Sequence, residues 1–225
     1  MARNDVQPDN GWTQMDEFLW HTCDIVADVV TGTLDRRPKV ASMARLGPGE
    51  RVLATGHAER FTLRAVGNGS YRHTNTMAIG RPGFVVGALA ATAITNAARR
   101  NAARRDTVPR WDSDGAGELT VTQQAAYIAH QRNPLSLGFT GLDVIDLPAP
   151  GVLEARYHDM YGKGYMSIRV HTTWASLLFA LAAIAAFPSH PRLLGGTWLP
   201  PEFEARCAHF GRPIRPVQRM ILGQG

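Results

Sequence analysis

Apolar residues recur at three- and four-residue steps through residues 13–31, "TQMDEFLWHTCDIVADVVT", where Met15, Phe18, Leu19, Ile25, Val26, Val29 and Val30 make one stripe. This spacing predicts an amphipathic helix. Thr13 and Asp16 stand as a capping box and Gly32 follows the last periodic residue, so both helix ends carry a signal. Past Trp111 the period shortens to two: Leu119, Val121; Tyr127, Ile128; Leu135, Leu137, Phe139; Leu142, Val144, Ile145, Leu147; Val152, Leu153; Met166, Ile168, Val170. Short apolar runs with turn signals about every eight to twelve residues predict the strands of an antiparallel sandwich or small barrel. "YGKGY", residues 161–165, reads as the tight turn between the last two. Helical spacing returns in "TTWASLLFALAAIAAFP", with Thr172 or Thr173 placed to cap and Pro188 to stop it. Trp174, Leu177, Leu178, Leu181 and Ile184 form its main stripe, and no charged face exists. Such a helix must be covered on every side: one face by the strands, the other by the first helix, by an Ala-rich segment or by a partner.

Between these regions the pattern is less regular. "RRPKVASMARLGPGE" is a connector, and the following stretch to Gly80 carries β-branched and aromatic residues around Gly67-Asn68-Gly69, a hairpin signal. "FVVGALAATAITNAARRNAARR", residues 84–105, is an Ala-rich helix candidate whose end gathers Arg99, Arg100, Arg104 and Arg105. From Pro82 to Ala98 there are 17 uncharged residues, the lower limit for crossing a hydrocarbon core about 30 Å thick, but six are alanine and several are Gly, Thr or Asn. Three readings follow: a packed helix with a solvated basic end, an interfacial helix, and a span, with the packed helix preferred. In the tail, Pro201, Glu202, Glu204 and Gly211 bracket a short helix, and Trp198 and Phe203 are expected to pin the Pro-rich flanks to the core.

Composition adds class and compartment. The hydrophobic fraction of 44% and charged fraction of 19% are those of a folded protein. The formal charge is +5, with 22 arginines and two lysines. Residues 60–110 hold nine arginines against Asp106, whereas 111–225 hold nine basic and nine acidic residues, so the positive field belongs to one segment. With two cysteines, Cys23 and Cys207, and a start lacking the basic-then-apolar pattern of a leader, the expected compartment is the reducing cytoplasm, with peripheral placement at the inner membrane face as an extension.

Candidate chemistry is sparse. The eight histidines stand singly and no Cys-x-x-Cys pair exists, so neither metal nor other cofactor is expected. Phosphate-loop, dinucleotide, zinc-protease and nucleophile-elbow motifs are missing. His21 and Cys23 lie about 200° apart on a helix, which sets a surface His against a packed Cys. Asp112-Ser113-Asp114 before Gly115 reads as a turn entering a strand. "YHDMYGKGY" gathers His158, Asp159 and Lys163 at a hairpin tip, a candidate loop site beside the plainer reading of an exposed turn. Arg99, Arg100, Arg104, Arg105 and Arg110 are the candidate anion- or partner-binding residues. Anionic lipid ranks above nucleic acid for them, because residues 81–110 offer Phe84 alone for base stacking between the arginines.

Four stretches, "LGPGERVLA" (46–54), "RWDSDGAGELTVTQQAAYIAH" (110–130), "PLSLGFTGLDVIDLP" (134–148) and "GYMSIRVHTTWASLLFALAAI" (164–184), resemble bacterial pleckstrin-homology-like (PH-like, GRAM-like) domains. "GELTVTQQAAYIAH" is similar to the family's "GxLxVTxxRLxF" start, except that Gln123, Gln124 and Ala125 replace its basic residue. The resemblance implies an α+β fold: a PH-like antiparallel β-sandwich or partly open barrel capped by a C-terminal helix. Residues 1–45 would then be an N-terminal helix and connector, 46–187 the domain with a helical insertion at 82–106, and 188–225 a tail. It also implies a binding or scaffold module rather than an enzyme. The expected partners are a protein or an anionic membrane surface, with self-association into a homo-oligomer. A nucleic-acid partner for the same arginines, or an enzyme site assembled around His158, Asp159 and Tyr161, are the alternatives.

Overall fold

The computed structural model describes residues 11–65, 108–159 and 164–223. The Gly67–Gly69 turn and the Ala-rich segment 84–105 lie outside them. The chain divides into two compact units, residues 1–61 with 113–225, and residues 62–112.

The capping box forms as expected. Thr13 Oγ1 accepts the Asp16 N–H at 3.1 Å while Asp16 Oδ2 accepts the Thr13 N–H at 2.9 Å, opening α1 (Gln14–Thr31). Gly32, at φ 68°, closes it in the left-handed conformation that glycine adopts without penalty. Leu19, Cys23, Val26 and Val30 face the core.

Seven strands follow: β1 (Val52–Arg64), β2 (Arg110–Thr122), β3 (Ala125–Ala129), β4 (Leu135–Gly138), β5 (Leu142–Ala149), β6 (Val152–Asp159) and β7 (Gly164–His171). They form one antiparallel sheet in the order β4-β3-β2-β1-β7-β6-β5. Hydrogen bonds link every strand into this one sheet, which does not close. Asp112-Ser113-Asp114 lies within β2 rather than in a turn, because its residues alternate across the sheet and find partners on β1. Val144 also departs from the period-two reading. Register slips between Leu142 and Val144, and the displaced Val144 is 42% exposed while Leu142 and Ile145 stay buried.

The two edge strands are neighbours in sequence. Only a 3₁₀ turn, Phe139–Gly141, separates β4 from β5, and Phe139 itself is buried. Helix α2 (Ala175–Ala186) packs on β5, β6 and this turn, and α1 covers its other side. The apolar helix thus finds within the chain the cover it requires: Leu177, Leu178, Phe179 and Leu181 are all at most 1% exposed. Each such side chain stabilises the fold by about 1.5–3 kcal/mol. Trp174, just ahead of α2, donates its Nε1–H to Thr55 O at 2.9 Å and meets Phe18 edge-on at 4.7 Å, which ties β1, α1 and α2 together.

The tail adds α3 (Pro191–Leu194), α4 (Phe203–His209) and α5 (Val217–Leu222). Trp198 and Phe203 are buried, and Ser176 Oγ donates to Trp198 O at 3.2 Å. Among the described residues, no helix is long and apolar enough to cross a membrane.

Candidate functional site

Of the sequence-selected arginines, Arg99, Arg100, Arg104 and Arg105 lie outside the described residues, as does Lys163. Arg110 begins β2 and is exposed. The segment that carries the four arginines leaves the sheet at the end of β1 and returns at the start of β2, strands adjacent in the sheet. Within the second unit, Arg64 Nη2 lies 2.6 Å from Asp112 Oδ2 at the two strand ends.

Residues 65–109 carry six arginines and one acid, which accounts for the whole formal charge of +5; the rest of the chain holds eighteen basic and eighteen acidic residues. The described arginines are largely engaged. Arg37, Arg60, Arg169, Arg192, Arg206, Arg212 and Arg215 each lie within salt-bridge distance of a carboxylate.

His158 and Asp159 are successive residues of β6 and so project to opposite faces. His158 stands directly across from Tyr165 on β7, their rings 5.3 Å apart, and the Arg156 guanidinium lies 5.6 Å from the Tyr165 ring centre. On the same solvent face, His171 meets Phe61 at 4.6 Å. Asp159 instead shares a face with Tyr157. Burial first of all pushes the Tyr157 phenol upward, with the Arg60 charge opposing and those of Asp159 and Asp114 adding to the rise. Arg60 Nε donates to Asp114 Oδ2 at 2.8 Å, the two side chains only 12% and 4% exposed. This buried pair eluded the sequence reading; the alternation of Asp112 and Asp114 across Ser113 was its available signal.

A second feature lies beside β5, where an open groove of about 570 Å³ is floored by Val144 and Ile145 and walled by α3. His190 Nδ1 accepts the Arg192 N–H at 3.2 Å and its Nε2 lies 3.1 Å from Ile145 O, which assigns the proton to Nε2. Asp146 Oδ1 accepts the Leu147 N–H at 2.8 Å and the Arg192 Nε–H at 2.6 Å. Burial by itself would raise the Asp146 carboxyl, but these bonds hold it below the ordinary carboxylate range. Ile145 O and Leu147 N are thus already occupied, which removes two of the groups an added strand would pair with on this edge.

Cys23 and Cys207 are both free and wholly buried. Burial raises both thiols, that of Cys207 to about 11, so neither is a nucleophile at neutral pH. Among the described residues, no group of three or more His, Cys, Asp or Glu side chains is placed to hold a metal ion.

The class these observations define is an α+β domain built on a seven-stranded antiparallel sheet with a buried apolar helix. No protein-family model matches the chain, and neither a curated protein nor a solved structure matches it.

Proposed function

We propose that this chain is a non-enzymatic docking module in which a PH-like scaffold presents the basic segment 65–109 to the anionic headgroups of the inner membrane face. The scaffold reading is supported by the strand order. Two meanders, β1 to β4 and β5 to β7, lie side by side through β1 and β7, and a three-residue corner joins their outer edges, as a partly open barrel requires. An apolar helix following β7 completes the pattern.

The observation that carries the docking role is the charge partition. The rest of the chain is neutral, while the segment between two adjacent strands holds the entire excess. Each basic residue near an anionic surface contributes about 1 kcal/mol, so six in one segment suffice for reversible attachment. The test is co-sedimentation with vesicles of anionic and of purely zwitterionic lipid. The intact chain is expected to bind the anionic vesicles alone, with loss at high salt and on replacing Arg99, Arg100, Arg104 and Arg105 by alanine. Equal recovery of both proteins on either vesicle would remove the role.

One observation favours a second reading. Tyr165, His158, His171 and Phe61 put aromatic rings on one sheet face beside Arg156, a surface suited to stacking single-stranded bases. A labelled oligonucleotide bound with steep salt dependence, and lost on Tyr165→Ala, would establish it in place of the membrane.

A further inference from the structure

Residues 203–223 form an arm that lies against α1 through buried apolar side chains and through charges placed in one order along both partners. Arg206 makes a two-pronged contact with Asp16, Nε to Oδ1 at 3.1 Å and Nη2 to Oδ2 at 2.8 Å. Arg212 pairs with Glu17 and lies over the rings of Trp12 and Trp20, 5.1 and 5.7 Å from their centres. Arg215 reaches Asp24 and Asp28, each at 2.7 Å. Phe203, Cys207 and Val217 seat the arm in the core between these pairs.

The joint that leads into the arm is strained. Pro200 and Pro201 are followed by Glu202 at φ 58°, the one non-glycine residue with positive φ among those described. An L-residue with a long side chain pays for this conformation, and the cost is relieved if the joint straightens. A short strained joint, stiffened by two prolines and followed by an arm with a complementary seat on its own chain, is the arrangement that favours exchange between copies. The pairs of Arg206, Arg212 and Arg215 with the acids of α1 need only an arm and a seat of matching order, whichever chain supplies them.

We infer that the arm 203–223 docks in trans as well as in cis, and that reciprocal exchange of two arms joins two copies of this chain into a dimer. The partner is a second copy, selected by the match of Arg206, Arg212 and Arg215 to the acids of α1, and the exchanged form lets Glu202 leave its positive φ.

Two variants test this. One carries Arg206→Glu with Arg212→Glu, the other Asp16→Lys with Glu17→Lys. Each alone repels its own arm in cis and in trans and is expected to remain monomeric by light scattering. Co-refolded from denaturant in equal amounts, they are expected to form a heterodimer of twice the mass, since each arm then meets a seat of opposite sign. A mixture that stays monomeric overturns the inference. Should either variant fail to fold, the wild-type chain unfolded in denaturant and returned to buffer at high concentration gives the same answer. A dimer fraction that rises with concentration and falls several-fold in Glu202→Gly supports exchange, whereas a monomer under all conditions, or a dimer indifferent to Glu202, refutes it.

Discussion

Arg215 Nη1 lies 2.7 Å from Asp28 Oδ1, joining residues separated by 187 positions. Arg37 reaches the other oxygen of the same carboxylate at 2.6 Å, and Thr33 donates to Oδ1 at 2.9 Å. Isolated surface pairs contribute little, but this carboxylate is only 14% exposed and has three donors around it. Its effect is to decide where the C-terminal arm lies along α1.

Acid lability follows from that carboxylate. Burial alone would raise Asp28, yet the hydrogen bonds from Arg215, Arg37 and Thr33 bring it from 3.8 down to about 2. Because the folded value is depressed, the stabilisation is complete above about pH 4 and is lost as pH falls toward 2. A shift of this size corresponds to about 2 kcal/mol. Urea unfolding of Asp28→Asn should show that deficit at pH 7 and converge on wild type near pH 2; a constant difference across this range would refute the assignment.

Gly117 should tolerate no side chain. A Cβ there would sit 2.1 Å from Ala129 O, a backbone atom of the neighbouring strand held by the β2–β3 ladder. Gly117→Ala is expected to cost on the order of 1–3 kcal/mol, as overpacking does, and to lower the thermal midpoint by several degrees. An unchanged midpoint would show that the ladder has slack at this rung.

The corner between β4 and β5 should be equally sensitive. Phe139 is 1% exposed and fills the space between the two sheet edges and α2. Phe139→Ala is expected to cost about 3–5 kcal/mol by denaturant titration, whereas Val144→Ala, at an exposed position on the next strand, should cost under about 0.5 kcal/mol.

His190 should act as a guard on the sheet edge. Replacing it by alanine removes the ring from Ile145 O and the cap from Arg192 N, exposing that carbonyl to an added strand. Size-exclusion chromatography of His190→Ala is expected to show concentration-dependent association beyond that of the parent chain at the same concentration. Identical elution of the two would mean that the remaining bonds of Asp146 suffice.

The sequence by itself determined the local elements, because their signals are carried by residues within one or two turns of each other. The capping box of Thr13 and Asp16, the stop at Gly32, most of the two-residue alternation among the described strands, Val144 apart, and the uniformly apolar helix before Pro188 emerged where their periodicity placed them. Only the tertiary structure decided what lay against what. That α1 covers the second face of α2, that Asp114 meets Arg60, that three tail arginines settle on the acids of α1 and that His190 stops the β5 edge are long-range choices. Charge and hydrophobicity say that a partner is needed, but many residues along the chain could supply one, and the single arrangement that satisfies all of them together is selected by packing.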